Sequence, residues 1–459
     1  MKFFKLDKFD WAIIICTVLM LLVVTNLSFK TKPMGDWDFH VEIRNITGYI
    51  KGYLPADEVS VTKAPGPVIF YFIPYMLVPY DSPDGTYWLA SVIWTCIFIL
   101  LSILLLRRAG RNMFNDLTGR ISCIFSLIFP IHLYYVFGVN AESMAYVGCI
   151  VALYGFSRWY AGGYQTWYRS GGWWLLFTGI ASLLLARPNL ILIMPLIVGA
   201  LMFMYIFHRE TYRKLYRPTF MLVLFLAGLF FSVATVVRQL PGKRDTKKQQ
   251  DYLIYVMQHG RFQYREEPFD WRFWDDSNRE GSRDYQAWIQ SEKELHSLIS
   301  DDKNNFREVY TNWIIEDVKN NKLLFLKQFA MRTLSGQFMF VNSVTPGNFK
   351  LLGFQGKVYY YIFHVLLNMI NIIILICTFI FLFREKRRLP EFWVLWVPLL
   401  AIIFFHASIY MEPRYVFPGR ACLLLMASYI FGQLYLRARH RFIKKDAEKN
   451  ESHKLSNPS

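Results

Sequence analysis

The chain has 459 residues, 54% of them apolar, and a formal net charge of +17. It has 40 Phe, 28 Tyr and 14 Trp, and its apolar residues gather in long runs such as 11–29 and 359–383, which excludes the two or three soluble domains that this length would otherwise suggest. The basic residues cluster at the ends of those runs, so the charge marks the short loops that orient a membrane protein and does not indicate a nucleic-acid partner.

A helix rises about 1.5 Å per residue, so about 20 apolar residues cross the hydrocarbon core. That measure predicts an all-α polytopic membrane protein with about ten transmembrane helices. They span 9–29, 87–106, 120–138, 142–158, 173–186, 190–207, 218–237, 357–383, 391–410 and 415–436. The leading MKFFKLDK could pass for a signal-peptide start, but no small-residue cleavage site follows, so the first helix is expected to be retained. Placing the basic groups Arg107, Arg108 and Arg111, Arg209 to Arg217, Arg384 to Arg388 and Arg437 to Arg441 in cytoplasmic loops gives a consistent path. The expected organisation is an N-terminal transmembrane core (1–237) with a first outer loop (30–86), an outer polar region (238–350), C-terminal helices (351–436) and a disordered tail (437–459). In the first outer loop, PGPVIFYFIPYMLVPY (65–80) is apolar, short and proline-bearing, which predicts a re-entrant or interfacial helix. The amphipathic stretch 323–340, with two basic residues, is expected along the interface as well. The aromatics of 261–276 could stack on sugars or form an interfacial belt, and the belt is favoured. All six cysteines lie in apolar runs without a CxxC pair, as small apolar side chains do.

On this path the outer turns carry ionisable residues beside helix ends. Residues 34–45, MGDWDFHVEIRN, place Asp36, Asp38, His40 and Glu42 directly after the first helix. In an extended backbone Asp36 and Asp38 point the same way. If a helix begins at Asp36, His40 and Arg44 share its face and Asp36 could cap it. The carboxylates are therefore either a site or a cap with solvated charges. Lys63 precedes APGP at the outer interface, where it could snorkel to headgroups or hold a lipid phosphate. Glu142 opens a helix, where the dipole favours a carboxylate on structural grounds alone. Arg187 in LLARPNL and Arg414 in MEPRYVFPG interrupt apolar sequence, a costly placement unless paired, with Glu412 as a local partner for Arg414.

In their order along the chain these residues resemble a known layout. Asp36 with His40, Lys63-Ala64-Pro65, Asn140-Ala141-Glu142, Arg187-Pro188 and Arg414-Tyr415 with Pro418 are similar to the motifs of C-type polytopic glycosyltransferases that use lipid-phosphate sugars. The branch resembled holds bacterial aminoarabinose and protein mannosyltransferases and rhizobial galacturonosyltransferases. The similarity spans most of the chain, through short motifs whose weight lies in order and topology. It implies that Asp36 is the general base on the acceptor hydroxyl, that Lys63 and Arg187 contact the donor phosphate, and that Arg414 and Tyr415 border the same cavity. It also implies a bacterial inner membrane with the site facing the periplasm. Two departures stand out. Asp36-Trp37 replaces the Asp-Glu of many relatives, with the second acid displaced to Asp38, so either aspartate can be the base. Lys-Ala-Pro replaces Lys-Pro-Pro.

The residue types suit that chemistry. Transfer from a polyprenyl-phosphate-linked donor needs a base for the incoming hydroxyl and positive charge on the leaving phosphate, and a single displacement inverts the anomeric carbon. Asp36, Asp38 and Glu142 could hold a divalent cation, since oxygen ligands suit Mg²⁺ or Mn²⁺. The acceptor could be a lipid, a glycan or a protein. Two other classes remain open. A lipid-linked sugar transporter or flippase usually shows repeats and mid-helix polar residues, which are not evident here. An O-antigen polymerase or ligase relies on a late-loop histidine and arginines, for which His259 qualifies. His132, His364 and His406 read as structural.

Overall fold

The computed structural model describes residues 6–31, 39–56, 59, 64–128, 140–164, 166–239, 246–267, 279–299, 306–337, 350–351, 354–409 and 413–456. A bilayer offers backbone groups no water, so apolar runs satisfy their own hydrogen bonds as helices. Each of the ten expected segments contains one. The N-terminal half comprises α1 (Lys8–Thr31), α2 (His40–Ile50), α3 (Pro65–Leu77), α4 (Asp84–Met113), α5 (Asp116–Ile128), α6 (Ala141–Ala161), α7 (Gly171–Ala186), α8 (Ile193–Phe207) and α9 (Arg209–Gln239). The polar region holds α10 (Thr246–Gly260), α11 (Arg283–Leu298), α12 (Phe306–Asn320) and α13 (Lys322–Gln337), and the chain closes with α14 (Lys357–Arg384), α15 (Trp393–Ile409), α16 (Pro413–Val416) and α17 (Arg420–Ser456). A two-residue antiparallel pair, β1 (Lys350–Leu351) and β2 (Phe354–Gln355), precedes α14. The protein is an all-α polytopic membrane protein. Among the described residues five helices are long and apolar enough to cross a membrane, in α4, Pro188–Phe207, α9, α14 and Phe417–Arg441; α3, α7 and α15 are shorter apolar helices.

The pairing of α6 with α7 sets the geometry that matters below. A Cβ at Gly179 would lie 2.2 Å from the Ala152 amide nitrogen, and one at Gly155 2.3 Å from that of Leu176. Lipid supplies no hydrophobic drive between helices, so small residues and close backbone packing hold them together. Gly148 faces Gly179 while Gly155 faces Gly172, so the helices are antiparallel and the first turn of α6 lies beside the last turn of α7. The start of α3 reaches the same end, because a Cβ at Gly66 would lie 2.5 Å from the Ala186 amide nitrogen. Trp159, Trp173 and Trp393 are fully buried in the main core, and a second core gathers Ile43, Tyr71, Tyr75 and Tyr87 from α2, α3 and α4.

The structure departs from the sequence expectations in four places. The RRAGR segment is not a loop: α4 continues through it, and Arg107 is buried, with its guanidinium bound by the carboxylates of Asp7 and Asp10. Those acids neutralise the charge, so helix continuation costs little; in return the Arg107 guanidinium holds the Asp7 carboxyl well below the usual carboxylate range. The tail beyond Leu436 continues α17 as a helix to Ser456, as its Ala, Arg, Lys and Glu favour. In the 323–340 stretch Arg332 turns inward and is fully buried, while Leu323, Leu326 and Leu334 stay exposed. Finally, Phe262 and Tyr264 are buried and do not form a belt; Phe262 stacks on Trp313 with centroids 5.6 Å apart. Residues 268–278, the rest of that aromatic stretch, lie outside the described residues.

Candidate functional site

Of the expected site residues, Asp36, Asp38 and Lys63 lie outside the described residues, as does the side chain of Arg414 in α16. His40, Glu142, Arg187 and Tyr415 are described, and three of them meet. Asn140 caps α6, its side chain accepting from the Ser143 amide at 3.2 Å. Glu142 follows in the first turn, 3% exposed, where the helix dipole favours a carboxylate. Arg187 is the C-cap of α7, with a non-helical backbone (φ −136°, ψ 83°) ahead of Pro188, which starts a 3-10 turn. Because α6 and α7 are antiparallel, these two ends coincide and the Arg187 guanidinium donates to the Glu142 carboxylate.

Arg187 has a second neighbour. Its guanidinium carbon lies 5.0 Å from the Tyr415 ring centroid, within cation–π range. Tyr415 in turn stacks on His406 of α15, centroids 4.3 Å apart and planes 21° from parallel. Four helices thus contribute to one column, Glu142–Arg187–Tyr415–His406. The Arg187 side chain is 22% exposed, so part of this cation remains open to an anion. His406 was the member that sequence reasoning assigned a structural role, since a histidine inside an apolar run carries no local signal. Its nearness to Tyr415 in the sequence was the available hint.

His40 belongs to a different cluster. The helix it opens has Phe39 as N-cap, with no side-chain cap bond; Asp36, the cap considered from the sequence, lies outside the described residues. His40 Nδ1 pairs with the Tyr75 hydroxyl at 2.7 Å and Nε2 with Asp84 Oδ1 at 3.2 Å. Arg44, one turn on, donates to the same Asp84 oxygen at 2.9 Å. The expected shared face of His40 and Arg44 is therefore present and is directed to Asp84, whose place at the start of α4 sequence reasoning did not single out. Burial pushes the His40 imidazole below its usual range, against the pull of the Asp84 carboxylate. A histidine buried neutral stabilises the fold above its unfolded pKa of about 6.5, and that contribution is lost as pH falls through the lower folded value. The protection of amides 39–50, taken relative to their intrinsic exchange rate, is therefore expected to fall as pH drops below about 6.5, and a His40→Asn variant to show a flatter profile.

Among the described residues no group of three or more His, Cys, Asp or Glu could hold a metal ion. Of the three carboxylates considered for a cation, Glu142 is the one described, and its carboxylate accepts from Arg187. His259, the residue the polymerase or ligase reading draws on, packs at 4.3 Å on Trp288 in the polar region.

No protein-family model matches the chain, and no curated protein matches its sequence. Its fold does match solved structures. Archaeal oligosaccharyltransferase AglB from Archaeoglobus fulgidus, in complex with an inhibitory peptide and a dolichol-phosphate, aligns with a TM-score of 0.51 and 13% identity, over 96% of this chain and 52% of that one. The Archaeoglobus fulgidus oligosaccharyltransferase tethered to an acceptor peptide containing the NVT sequon aligns with a TM-score of 0.50 and 13% identity, over 95% and 51%. This chain spans about half the length of each. The likeness is one of fold alone.

Proposed function

We propose that this protein transfers a glycosyl group from a polyprenyl-phosphate-linked donor to an acceptor hydroxyl at the outer, periplasmic face of a bacterial inner membrane. One observation carries the reading. Arg187, a permanent cation, is fixed at a helix end by Glu142 on one side and Tyr415 on the other, with part of its surface open. The start of α3, directly after the Lys63 segment, packs against the same end of α7. Such a cation can hold the donor phosphate and stabilise the charge that grows on it as the glycosidic bond breaks.

The steps follow from the residue types. Asp36 or Asp38 takes the proton of the acceptor hydroxyl, whose oxygen attacks the anomeric carbon from the face opposite the phosphate. The bond between that carbon and the phosphate oxygen breaks, the electron pair leaves with the lipid phosphate, and Lys63 and Arg187 balance its charge. A single displacement of this kind inverts the anomeric configuration. Arg414 and Tyr415 border the same cavity, and His40 supports the first loop that carries the acids. A Mg²⁺ or Mn²⁺ ion held by Asp36, Asp38 and Glu142 would add a further positive charge beside the phosphate.

The test is transfer of labelled sugar from undecaprenyl-phosphate-linked donors in membranes containing the intact protein, Asp36→Asn or Asp38→Asn. Loss of transfer in one variant at unchanged protein level identifies the base. Full activity in both variants overturns the mechanism.

A further inference from the structure

Beyond the Arg187 column the first loop carries a second group of side chains arranged for recognition. Gly52 (φ +79°) ends α2 in a left-handed turn that L side chains rarely adopt, and the chain doubles back so that the Tyr53 amide donates to the Gly48 carbonyl at 2.8 Å. Gly48 also makes room for Tyr80, because a Cβ there would lie 2.6 Å from that ring. The Tyr53 and Tyr80 rings then stack with centroids 5.0 Å apart and planes 10° from parallel. The Tyr87 hydroxyl pins the turn below by donating to the Pro79 and Tyr80 carbonyls at 3.1 and 3.2 Å. Arg44 completes the group: its guanidinium carbon lies 5.4 Å from the Tyr80 centroid while its Nη1 bonds Asp84.

Much of this arrangement faces outward. Tyr53 is 59% exposed, and the side chains of Asp84 and Arg44 are 55% and 31% exposed. We propose that this Tyr53–Tyr80 stack with the Arg44–Asp84 pair is a carbohydrate-binding surface that takes a neutral or amino-substituted pyranose ring. An aromatic face with negative quadrupole accepts the C–H face of a pyranose. A carboxylate beside a planar guanidinium offers acceptors and donors in the spacing that vicinal hydroxyls use. The exposed carboxylate already neutralises Arg44, which disfavours a uronic acid or an anionic lipid headgroup and favours a neutral or cationic sugar. Two glycines and a pinned turn hold the rings in place before any ligand arrives, which lowers the ordering cost of binding. The inference does not rest on glycosyl transfer, since binding is read without turnover.

The experiment uses the full chain in a zwitterionic detergent, because an alkyl maltoside would compete. It is applied to a printed array of neutral, amino-sugar and uronic oligosaccharides, alongside Tyr53→Ala and Tyr53→Phe. The wild type is expected to retain neutral or amino-sugar glycans, Tyr53→Phe to match it, and Tyr53→Ala to bind at least about tenfold more weakly, or 1.4 kcal/mol. An unchanged thermal midpoint in Tyr53→Ala shows that the fold is intact, as the exposure of that ring leads one to expect. Retention of no printed glycan by the wild type, or equal retention by Tyr53→Ala, overturns the proposal. So does a second outcome, in nanodiscs: a Tyr53-dependent response to phosphatidylglycerol content in place of glycan binding assigns the stack to lipid headgroups.

Discussion

Replacing Arg187 by Gln is expected to lower glycosyl transfer by about 10²–10³-fold, the usual cost of removing one donor that meets charge developing in a transition state. The substitution also has a structural consequence that must be separated from the chemical one. Glu142 is 3% exposed, and among the described residues Arg187 is the cation that faces it. A buried carboxylate left without its cation costs roughly 1–3 kcal/mol here, because the partly exposed arginine already shares its pairing with solvent. Arg187→Gln alone therefore lowers both the thermal midpoint and activity. The informative variant is the double one, Glu142→Gln with Arg187→Gln, which replaces the ion pair by two neutral amides able to bond each other. Its thermal midpoint is expected to return toward the wild type while transfer stays low. Recovery of both quantities together would make the pair a structural clasp and remove Arg187 from the phosphate site. Arg187→Lys provides a further readout: it keeps the charge but loses the planar stack on Tyr415, so a higher donor KM is expected with a smaller change in kcat.

The parts of this arrangement that were legible in the sequence are those that depend on one segment at a time. Apolar runs gave the helices and their ends, and a glutamate in a first turn or an arginine before proline can be recognised locally. That Glu142 meets Arg187 depends on something non-local, the glycine-lined approach of α6 to α7, which fixes their direction and register. The same holds for His40. Its common face with Arg44 follows from helical spacing, yet their shared partner Asp84 stands 40 residues further on from Arg44, at the start of another helix. Charge was the least reliable guide. Arg107 looked like a loop residue because arginines at the end of an apolar run usually orient a span, whereas Asp7 and Asp10 from the first segment draw it into the protein. A basic residue in a sequence does not say whether water, a headgroup or a buried acceptor awaits it.

Arg332 shows the same ambiguity with the largest expected effect on stability. In a stretch with exposed leucines it resembles an interfacial anchor, yet it is fully buried. Its guanidinium donates to the Ala407 carbonyl at 3.1 Å and the Ser408 carbonyl at 3.4 Å, the last turn of α15, and to the Gly260 carbonyl at the end of α10. Helix C-termini leave such carbonyls without intrahelical donors, and a cation there also meets the negative end of the dipole. Arg420 does the same for α13, donating to the Gln337 carbonyl at 2.7 Å and the Gly336 carbonyl at 3.3 Å while bonding Asn371 Oδ1 at 2.7 Å. The polar region is thus fastened to the membrane helices through arginines that satisfy helix ends. Arg332→Met keeps most of the side-chain volume and removes all of the donors, so the expected loss is roughly 3–5 kcal/mol from several buried carbonyls left unpaired. A lysine there retains the charge but cannot span carbonyls from two helices with a planar fork, so Arg332→Lys is expected to recover only part of that loss. Limited proteolysis in detergent separates local from global failure. Faster cleavage within residues 246–337, with the transmembrane helices still protected, is the outcome expected of a region released from its anchor. Uniform cleavage along the chain would mean instead that Arg332 stabilises the whole bundle. Unchanged protection would show that the packing of α13 against α15 holds the region without it.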